Sequence, residues 1–259
     1  MQDLSNQTIF IAGQHNIPEV FYTLEGEGRW IGWPSVFLRL SGCNLTCSGF
    51  ASKDSVHGCD SYVSWSVKNK TTFKELDELL VRDGHYDKLL NGAVWKITGG
   101  EPLIQQKSLT KFFQYIFETH VIDSKILKID FETNGTITPD GELIKVIPNV
   151  TFTVSPKLYN NGDSLHLRFK EKTLKWHAER NSCFKFVVQN EDDVKEIWEY
   201  YIENNNVGIN KENVWFMPCC GSQKELLENG TAVAELAKTY GVKFSNRLHL
   251  QLWDKALRV

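Results

Sequence analysis

Short apolar runs alternate along this chain with longer segments in which apolar residues recur every three or four positions. The runs predict strands over 35–40, 93–97, 126–131, 150–154, 183–188, 214–217 and 247–252. The longer segments predict helices. Thr72-Phe73-Lys74-Glu75 has the Thr-x-x-Glu form of a capping box, in which each residue satisfies a backbone amide of the other, and it opens a helix to about 82. Phe112, Phe113, Ile116 and Phe117 share a face of a helix over 109–119. Val194, Ile197, Trp198 and Tyr201 do the same over 192–201, and Gly241 ends a helix over 231–240. Strand followed by helix, nearly throughout, predicts an α/β fold: a mostly parallel sheet with crossover helices, open or curled into a partial barrel. With no linker-like segment and no internal repeat, one domain over 1–259 is expected.

In such folds chemistry gathers at the carboxyl ends of the strands. The polar and glycine-rich stretches fall there: Ser41-Gly42-Cys43, Thr98-Gly99-Gly100-Glu101-Pro102, Glu132-Thr133-Asn134-Gly135, Ser155-Pro156-Lys157 and Pro218-Cys219-Cys220-Gly221. Each alone reads as a turn. Five at matching ends predict one site.

Composition narrows the classes. At 259 residues and 41% hydrophobic the chain can bury a substantial core. A net charge of -3 argues against a broad basic surface, so no nucleic-acid partner is expected. The opening MQDLSNQTIF lacks the basic and apolar regions of a leader, and charged or amide residues interrupt every apolar run. No membrane partner and a cytoplasmic location are expected.

The six cysteines, at 43, 47, 59, 183, 219 and 220, then point to metal or redox chemistry rather than disulfides. Cys183, inside SCFKFVVQ, reads as a buried apolar thiol. Cys43 and Cys47 lie four apart, and Cys59 follows eleven intervening residues later. Two readings stand. With His57 as fourth ligand the set would hold a structural zinc. With three thiolates it would hold a cubane iron–sulfur cluster, leaving one iron open for a cofactor. Arg39, mid-strand among apolar residues, needs a partner: a ligand carboxylate or an internal salt bridge. Glu25-Gly26-Glu27-Gly28-Arg29 lacks the spacing of a phosphate loop, and its carboxylates would repel phosphate.

The motifs together resemble the radical S-adenosylmethionine enzymes, and within them the 7-carboxy-7-deazaguanine synthases. The matching pieces are YTLEGEG (22–28), RLSGCNL (39–45), Cys59-Asp60-Ser61, TGGEP (98–102), ETNGT (132–136), VSPK (154–157), FKFVV (184–188), Met217-Pro218 and RLHLQLW (247–253). The resemblance implies a partial (β/α) barrel with the cluster loop after the first core strand, enlarged here by an insertion over 48–58. It implies a [4Fe–4S] cluster on Cys43, Cys47 and Cys59, and magnesium on Ser61, which stands where the family has Thr. Gly100, Glu132, Asn134, Ser155, Pro156 and Lys157, with Met217, Pro218, Cys219 and Cys220, match the family's S-adenosylmethionine contacts. Leu24, Glu25, Gly26, Arg39, Thr98 and the terminal Val259 match its substrate contacts, Arg39 as partner of the substrate carboxylate. The segment 241–259 would form a last strand and a tail over that substrate. The activity implied is ring contraction of 6-carboxy-5,6,7,8-tetrahydropterin to 7-carboxy-7-deazaguanine with loss of ammonia, with no protein acid or base assigned. A one-electron donor such as a flavodoxin and a homodimer come with it. The rivals are an activase of glycyl-radical enzymes, which shares the Cys loop and TGGEP, and a zinc-stabilised binding module.

Overall fold

The computed structural model describes residues 3–14, 17–48, 57–256 and 258. Among these, ten strands form one sheet. They are β1 (Thr8–Ile11), β2 (Val20–Leu24), β3 (Pro34–Leu40), β4 (Asn69–Thr72), β5 (Val94–Gly99), β6 (Lys128–Thr133), β7 (Thr151–Val154), β8 (Cys183–Val188), β9 (Val214–Pro218) and β10 (Lys243–Phe244). The helices are α1 (Tyr62–Trp65), α2 (Phe73–Arg82), α3 (His85–Leu90), α4 (Gln106–His120), α5 (Gly141–Val146), α6 (Leu165–Arg168), α7 (Glu171–Ala178), α8 (Glu191–Ile197), α9 (Gln223–Tyr240) and α10 (Leu248–Trp253). No helix among the described residues is long and apolar enough to cross a membrane.

The sheet runs β10-β9-β8-β7-β6-β5-β3-β1-β4, with β2 against β3. From β3 to β10 every neighbouring pair is parallel and follows chain order, as in a partial (β/α) barrel. The sequence pattern misses β1, β2 and β4, which pair antiparallel at the β3 end. Their alternation is broken by polar residues on an edge that needs no second apolar face.

The register explains the layers. Val36, Leu38, Trp95, Ile97, Ile129, Phe131, Phe152, Val154, Phe184, Phe186, Val214 and Phe216 occupy one face and are buried in the main core with Leu109, Phe112, Phe113 and Ile116 of α4. Strand side chains alternate, so the other face carries Phe37 and Arg39, Lys96 and Thr98, Asp130 and Glu132, Thr151 and Thr153, Cys183 and Lys185, and Trp215 and Met217. That face is the lumen of the partial barrel. Burying charge there is costly unless each charge is paired, so the lumen is where function is to be sought.

Two predicted elements need correction. The segment predicted as a strand over 247–252 is instead the N-cap Arg247 and most of helix α10, Leu248–Trp253. Leu248, Leu250 and Leu252 alternate, but Leu250 alone is buried, against Cys220 and Leu226, while Leu252 is 51% exposed. Among the described residues no strand pairs with it, and one buried leucine is satisfied by a single helical turn. The predicted last strand is instead the two residues of β10. The helix expected over 231–240 begins at Gln223, capped by the Ser222 side chain, which accepts from Glu225 N. Gly230 inside it hides the continuity. The capping box at Thr72 is present with both of its bonds.

Candidate active site

The site grows from the carboxyl end of β3. There Ser41-Gly42-Cys43 turns away from the sheet and meets the end of β5, where Glu101 N donates to Gly42 O at 2.9 Å. A Cβ on Gly100 would stand 2.4 Å from Gly42 O and 2.6 Å from Cys43 Cβ, and one on Gly99, at φ 157°, would stand 2.3 Å from Leu40 O. The two glycines of TGGEP thus let the β5 loop press on the cysteine loop. Glu101, fully buried, ties in the next loop: its carboxylate accepts from Leu103 N, Thr133 Oγ1 and Asn134 N. Burial pushes its carboxyl up to about 7 despite those amide donors. Asn134 Nδ2 donates to Asn44 Oδ1 at 2.9 Å, and Asn44 Nδ2 to Thr136 Oγ1 at 2.8 Å. Gly100 and Asn134, expected as cofactor contacts, both lie against the cysteine loop.

Cys43, Cys47 and Cys59 are drawn into this region, Cys47 buried and the others partly so. Each sulfur accepts an N–H at 3.5 Å: Leu45 N to Cys43, Asn161 Nδ2 to Cys47 and Trp65 Nε1 to Cys59. Burial pushes the Cys43 thiol up to about 11, and raises Cys47 too, against the pull of the Lys157 ammonium. Three soft thiols with N–H donors on the sulfurs have the chemistry an iron–sulfur cluster needs, although among the described residues no three His, Cys, Asp or Glu side chains are already gathered as a metal site. His57, the candidate fourth ligand of a zinc site, has its ring stacked on Tyr62 with centroids 4.3 Å apart. Cys183 is fully buried, its thiol pushed up to about 12 by burial, as an apolar thiol should be. Most of the 48–58 insertion and Val259 lie outside the described residues.

The lumen below is lined by paired charges. Lys96, fully buried, lies 2.6 Å from Asp130 Oδ2 and 2.8 Å from Glu25 Oε2. Burial works against its charge, but the carboxylates hold it well above the usual lysine range. Lys185 joins Glu27 Oε2 at 2.5 Å to Glu132 Oε1 at 3.3 Å. Thr98 Oγ1 donates to the other oxygen of Glu132 at 3.0 Å. Although burial opposes it, Lys185 and Lys96 hold the Glu132 carboxyl down at about 2. Glu25 goes the other way: burial outweighs Lys96 and pushes it up to about 7. Of the two, Glu25 is the carboxyl that can hold a proton near neutral pH.

The segment Leu24-Glu25-Gly26 crosses the lumen and is itself covered by the C-terminal segment. Leu248 N donates to Gly26 O at 2.9 Å, and Gly28 N donates to Ser245 Oγ at 2.8 Å. Arg247 reaches Glu27 Oε1 at 2.8 Å and Asp60 Oδ2 at 2.7 Å, and donates to the Cys220 carbonyl. Ser61 occupies the N-cap position of α1 without a side-chain capping bond, its hydroxyl 3.4 Å from Cys59 Sγ. Ser155 Oγ accepts from Lys157 Nζ at 3.0 Å beside buried Pro156. Met217, Pro218 and Cys220 are buried at the end of β9, with Cys219 partly exposed and its sulfur accepting from Gln189 Nε2.

Arg39 is the residue whose placement differs most from expectation. It pairs with Thr98 in register, as a site residue should. Its Nε, however, lies 2.7 Å from Glu19 Oε2, so the internal salt bridge is present. The sequence motifs include Glu27, Lys185 and Arg247 without giving them a role, and pass over Glu19 and Lys96 altogether. A signal existed for two of them: Lys96 and Lys185 each interrupt an apolar strand, and a buried lysine must be paired.

Comparison with known proteins supplies the family. A family described as "4Fe-4S single cluster domain" matches residues 24–176, more than half of the chain. The 7-carboxy-7-deazaguanine synthase of Hyperthermus butylicus is 33% identical over 240 residues, covering 90% of this chain and 91% of that protein. The enzyme of the same name from Halobacterium salinarum is 32% identical over 257 residues, covering 93% and 91%. Among solved structures, QueE from Escherichia coli matches with a TM-score of 0.61 at 20% identity, covering 93% of this chain and 95% of that one, a likeness of fold. In sequence and in fold, the chain belongs to the 7-carboxy-7-deazaguanine synthase family of radical S-adenosylmethionine enzymes.

Proposed function

We propose that this protein is a carbon–nitrogen lyase that contracts the ring of 6-carboxy-5,6,7,8-tetrahydropterin to 7-carboxy-7-deazaguanine with release of ammonia. The observation that carries this reading is the placement of three N–H-bonded thiols at the mouth of a lumen lined with paired charges. Cys43, Cys47 and Cys59 would hold the [4Fe–4S] cluster. Glu132, Ser155, Pro156, Lys157 and the 217–220 turn would receive S-adenosylmethionine, with Gly100 and Asn134 acting through the cysteine loop. Bound there, cluster and cofactor supply the one-electron chemistry that opens the reaction.

The protein's own part is orientation and exclusion of water. Leu24, Glu25 and Gly26 lie across the lumen, and the C-terminal segment covers them. Thr98 is fixed by Glu132 and Lys185 by two carboxylates, so neither must reorganise when a polar heterocycle enters. Arg39 would meet the substrate carboxylate with the guanidinium edge away from Glu19, the salt bridge serving to aim it. Ser61 contributes one hard oxygen for magnesium, whose other ligands would be substrate and water. Magnesium titrations of wild type and Ser61→Ala that coincide would remove it from the site. Homodimer formation and reduction by a flavodoxin-type donor belong to the same reading, and solution mass and donor-dependent turnover test them.

The deciding experiment is an anaerobic assay of the reconstituted protein with the carboxypterin and S-adenosylmethionine. Product and ammonia should form. Alanine at Cys43, Cys47 or Cys59 should abolish both the cluster absorbance and activity, and alanine at Cys219 should leave the cluster intact. A normal cluster in the Cys59 variant would sink the ligand assignment.

A further inference from the structure

The loop after β7 reaches the cysteine loop with two side chains, Asn161 and Asp163, that none of the motifs includes. Asn161 is fully buried. Its Nδ2 lies 3.5 Å from Cys47 Sγ and 2.7 Å from Asp163 Oδ2, and its Oδ1 accepts from Asp163 N at 3.0 Å. That last bond fixes the amide: the oxygen must face the Asp163 N–H, so the nitrogen must face the carboxylate and the sulfur.

Asp163 in turn grips the cysteine loop. Its carboxylate accepts from Cys47 N at 3.0 Å, Thr46 N at 3.2 Å and Thr46 Oγ1 at 2.7 Å. Cys47 sits at φ 50°, in the left-handed region that non-glycine residues occupy only at a cost. The Asp163 carboxylate offsets that cost by binding the amides of Thr46 and Cys47 together.

We propose that Asn161, oriented by Asp163, is a positioning residue that raises the reduction potential of the cluster through its hydrogen bond to Cys47 Sγ. The proposal rests on the reading of Cys47 as a cluster ligand. An N–H directed at a ligand sulfur stabilises the reduced form, which carries more negative charge, and so eases electron entry. Leu45 N and Trp65 Nε1 act in the same sense on the other two thiols. The first is backbone, which a substitution cannot delete. The second comes from the Trp65 indole, which also packs edge-on against Tyr62 with centroids 5.0 Å apart, so altering it disturbs the aromatic packing beside Cys59. Asn161 is therefore the position at which the sulfur bond can be removed with least change to the thiol framework.

The test uses the full-length protein, reconstituted anaerobically, as wild type, Asn161→Ala and Asp163→Ala. Iron and sulfide are assayed first, and the midpoint potential is then read by spectroelectrochemical titration of the cluster absorbance. Asn161→Ala should keep its cluster and titrate at a more negative potential than wild type. Asp163→Ala should hold less iron, because the Cys47 turn is released. A loaded Asn161→Ala protein with the wild-type midpoint overturns the proposal. If Asn161→Ala does not retain a cluster, Asn161→Ser is titrated instead: its hydroxyl is too short to keep the bond, so a negative shift supports the proposal and an unchanged midpoint overturns it. Wild type without iron and sulfide is a different failure, visible before any titration, and it removes the underlying cluster reading as well.

Discussion

A methyl group added at position 100 would lie 2.4 Å from the Gly42 carbonyl and 2.6 Å from Cys43 Cβ, both in the cysteine loop. Neither can yield as a flexible side chain would, so Gly100→Ala should displace that loop. The expected result is a folded protein that retains well under half the wild-type iron after reconstitution, and wild-type iron content would show that the close approach is dispensable. His177 offers a second single-residue test. It is fully buried between Phe152 and Trp176, with only Nδ1 near a partner, Ser182 Oγ at 3.2 Å. Burial pushes its imidazole down to about 3. With the folded value depressed, the unfolded chain binds the extra proton between pH 6.5 and 3. The stability His177 contributes is therefore present above about pH 6.5 and lost as pH falls toward 3, amounting to about 2 kcal/mol by pH 5. His177→Gln should lose correspondingly less stability than wild type between pH 7 and pH 5, the carboxyl titrations being common to both. Urea unfolding at the two pH values measures this, and equal losses would refute it. Single positions were also where the chain was least readable in advance. Cys183 could be assigned from its apolar neighbours, but Arg39 left two partners open, and Glu19 lies twenty positions away, just before β2.

At the scale of elements, local signals carried as far as their chemistry is local. The Thr72–Glu75 capping box involves residues three apart, so its four atoms meet as soon as the helix forms, and it was placed without any knowledge of the fold. The leucines of 247–252 alternate, yet alternation specifies a strand only if a neighbouring strand exists, and here the segment docks on Gly26 and Cys220 instead. Helix α9 shows the converse case, a helix that runs through a glycine because Leu226, Val233 and Ala237 on either side of it are buried. Gly230 keeps helical backbone, and a Cβ there would meet only Leu226 Cδ1, at an ordinary 3.7 Å. Gly230→Ala should therefore raise stability by about 1 kcal/mol, through reduced freedom of the unfolded chain. The check is a higher urea midpoint with an unchanged slope, and a fall in midpoint would mean that the neighbouring packing does not tolerate the methyl.

Across the whole molecule, the C-terminal segment is held over the lumen chiefly by one side chain. Arg247 joins Glu27 on the segment crossing the lumen, Asp60 beside Cys59, and the carbonyl of Cys220 after β9. The Asp60 arm is half exposed and adds little. The Glu27 arm is buried, and breaking such a pair costs roughly 3 kcal/mol because a charge is left behind. Arg247→Ala should accordingly free residues 245–254: their amides should exchange with deuterium much faster while β5 to β8 keep their protection. Unchanged exchange there would mean that Leu250 alone anchors the tail. What the chain declares in its own order is the set of groups that act with near neighbours or at strand ends: the apolar runs, the capping box, and the loops at matching strand termini that hold the three thiols. Periodicity and short motifs express contacts over a few residues, so they can be read directly. The pairing of Lys96 with Glu25 and Asp130, of Lys185 with Glu27 and Glu132, and of Asn161 with Cys47 joins residues from 34 to 158 positions apart. Only closing the sheet into a barrel brings those charges to one low-dielectric face, where each must find a partner or shift its ionisation, and that is why the tertiary structure alone decided which carboxyl can keep a proton and which amide meets the sulfur.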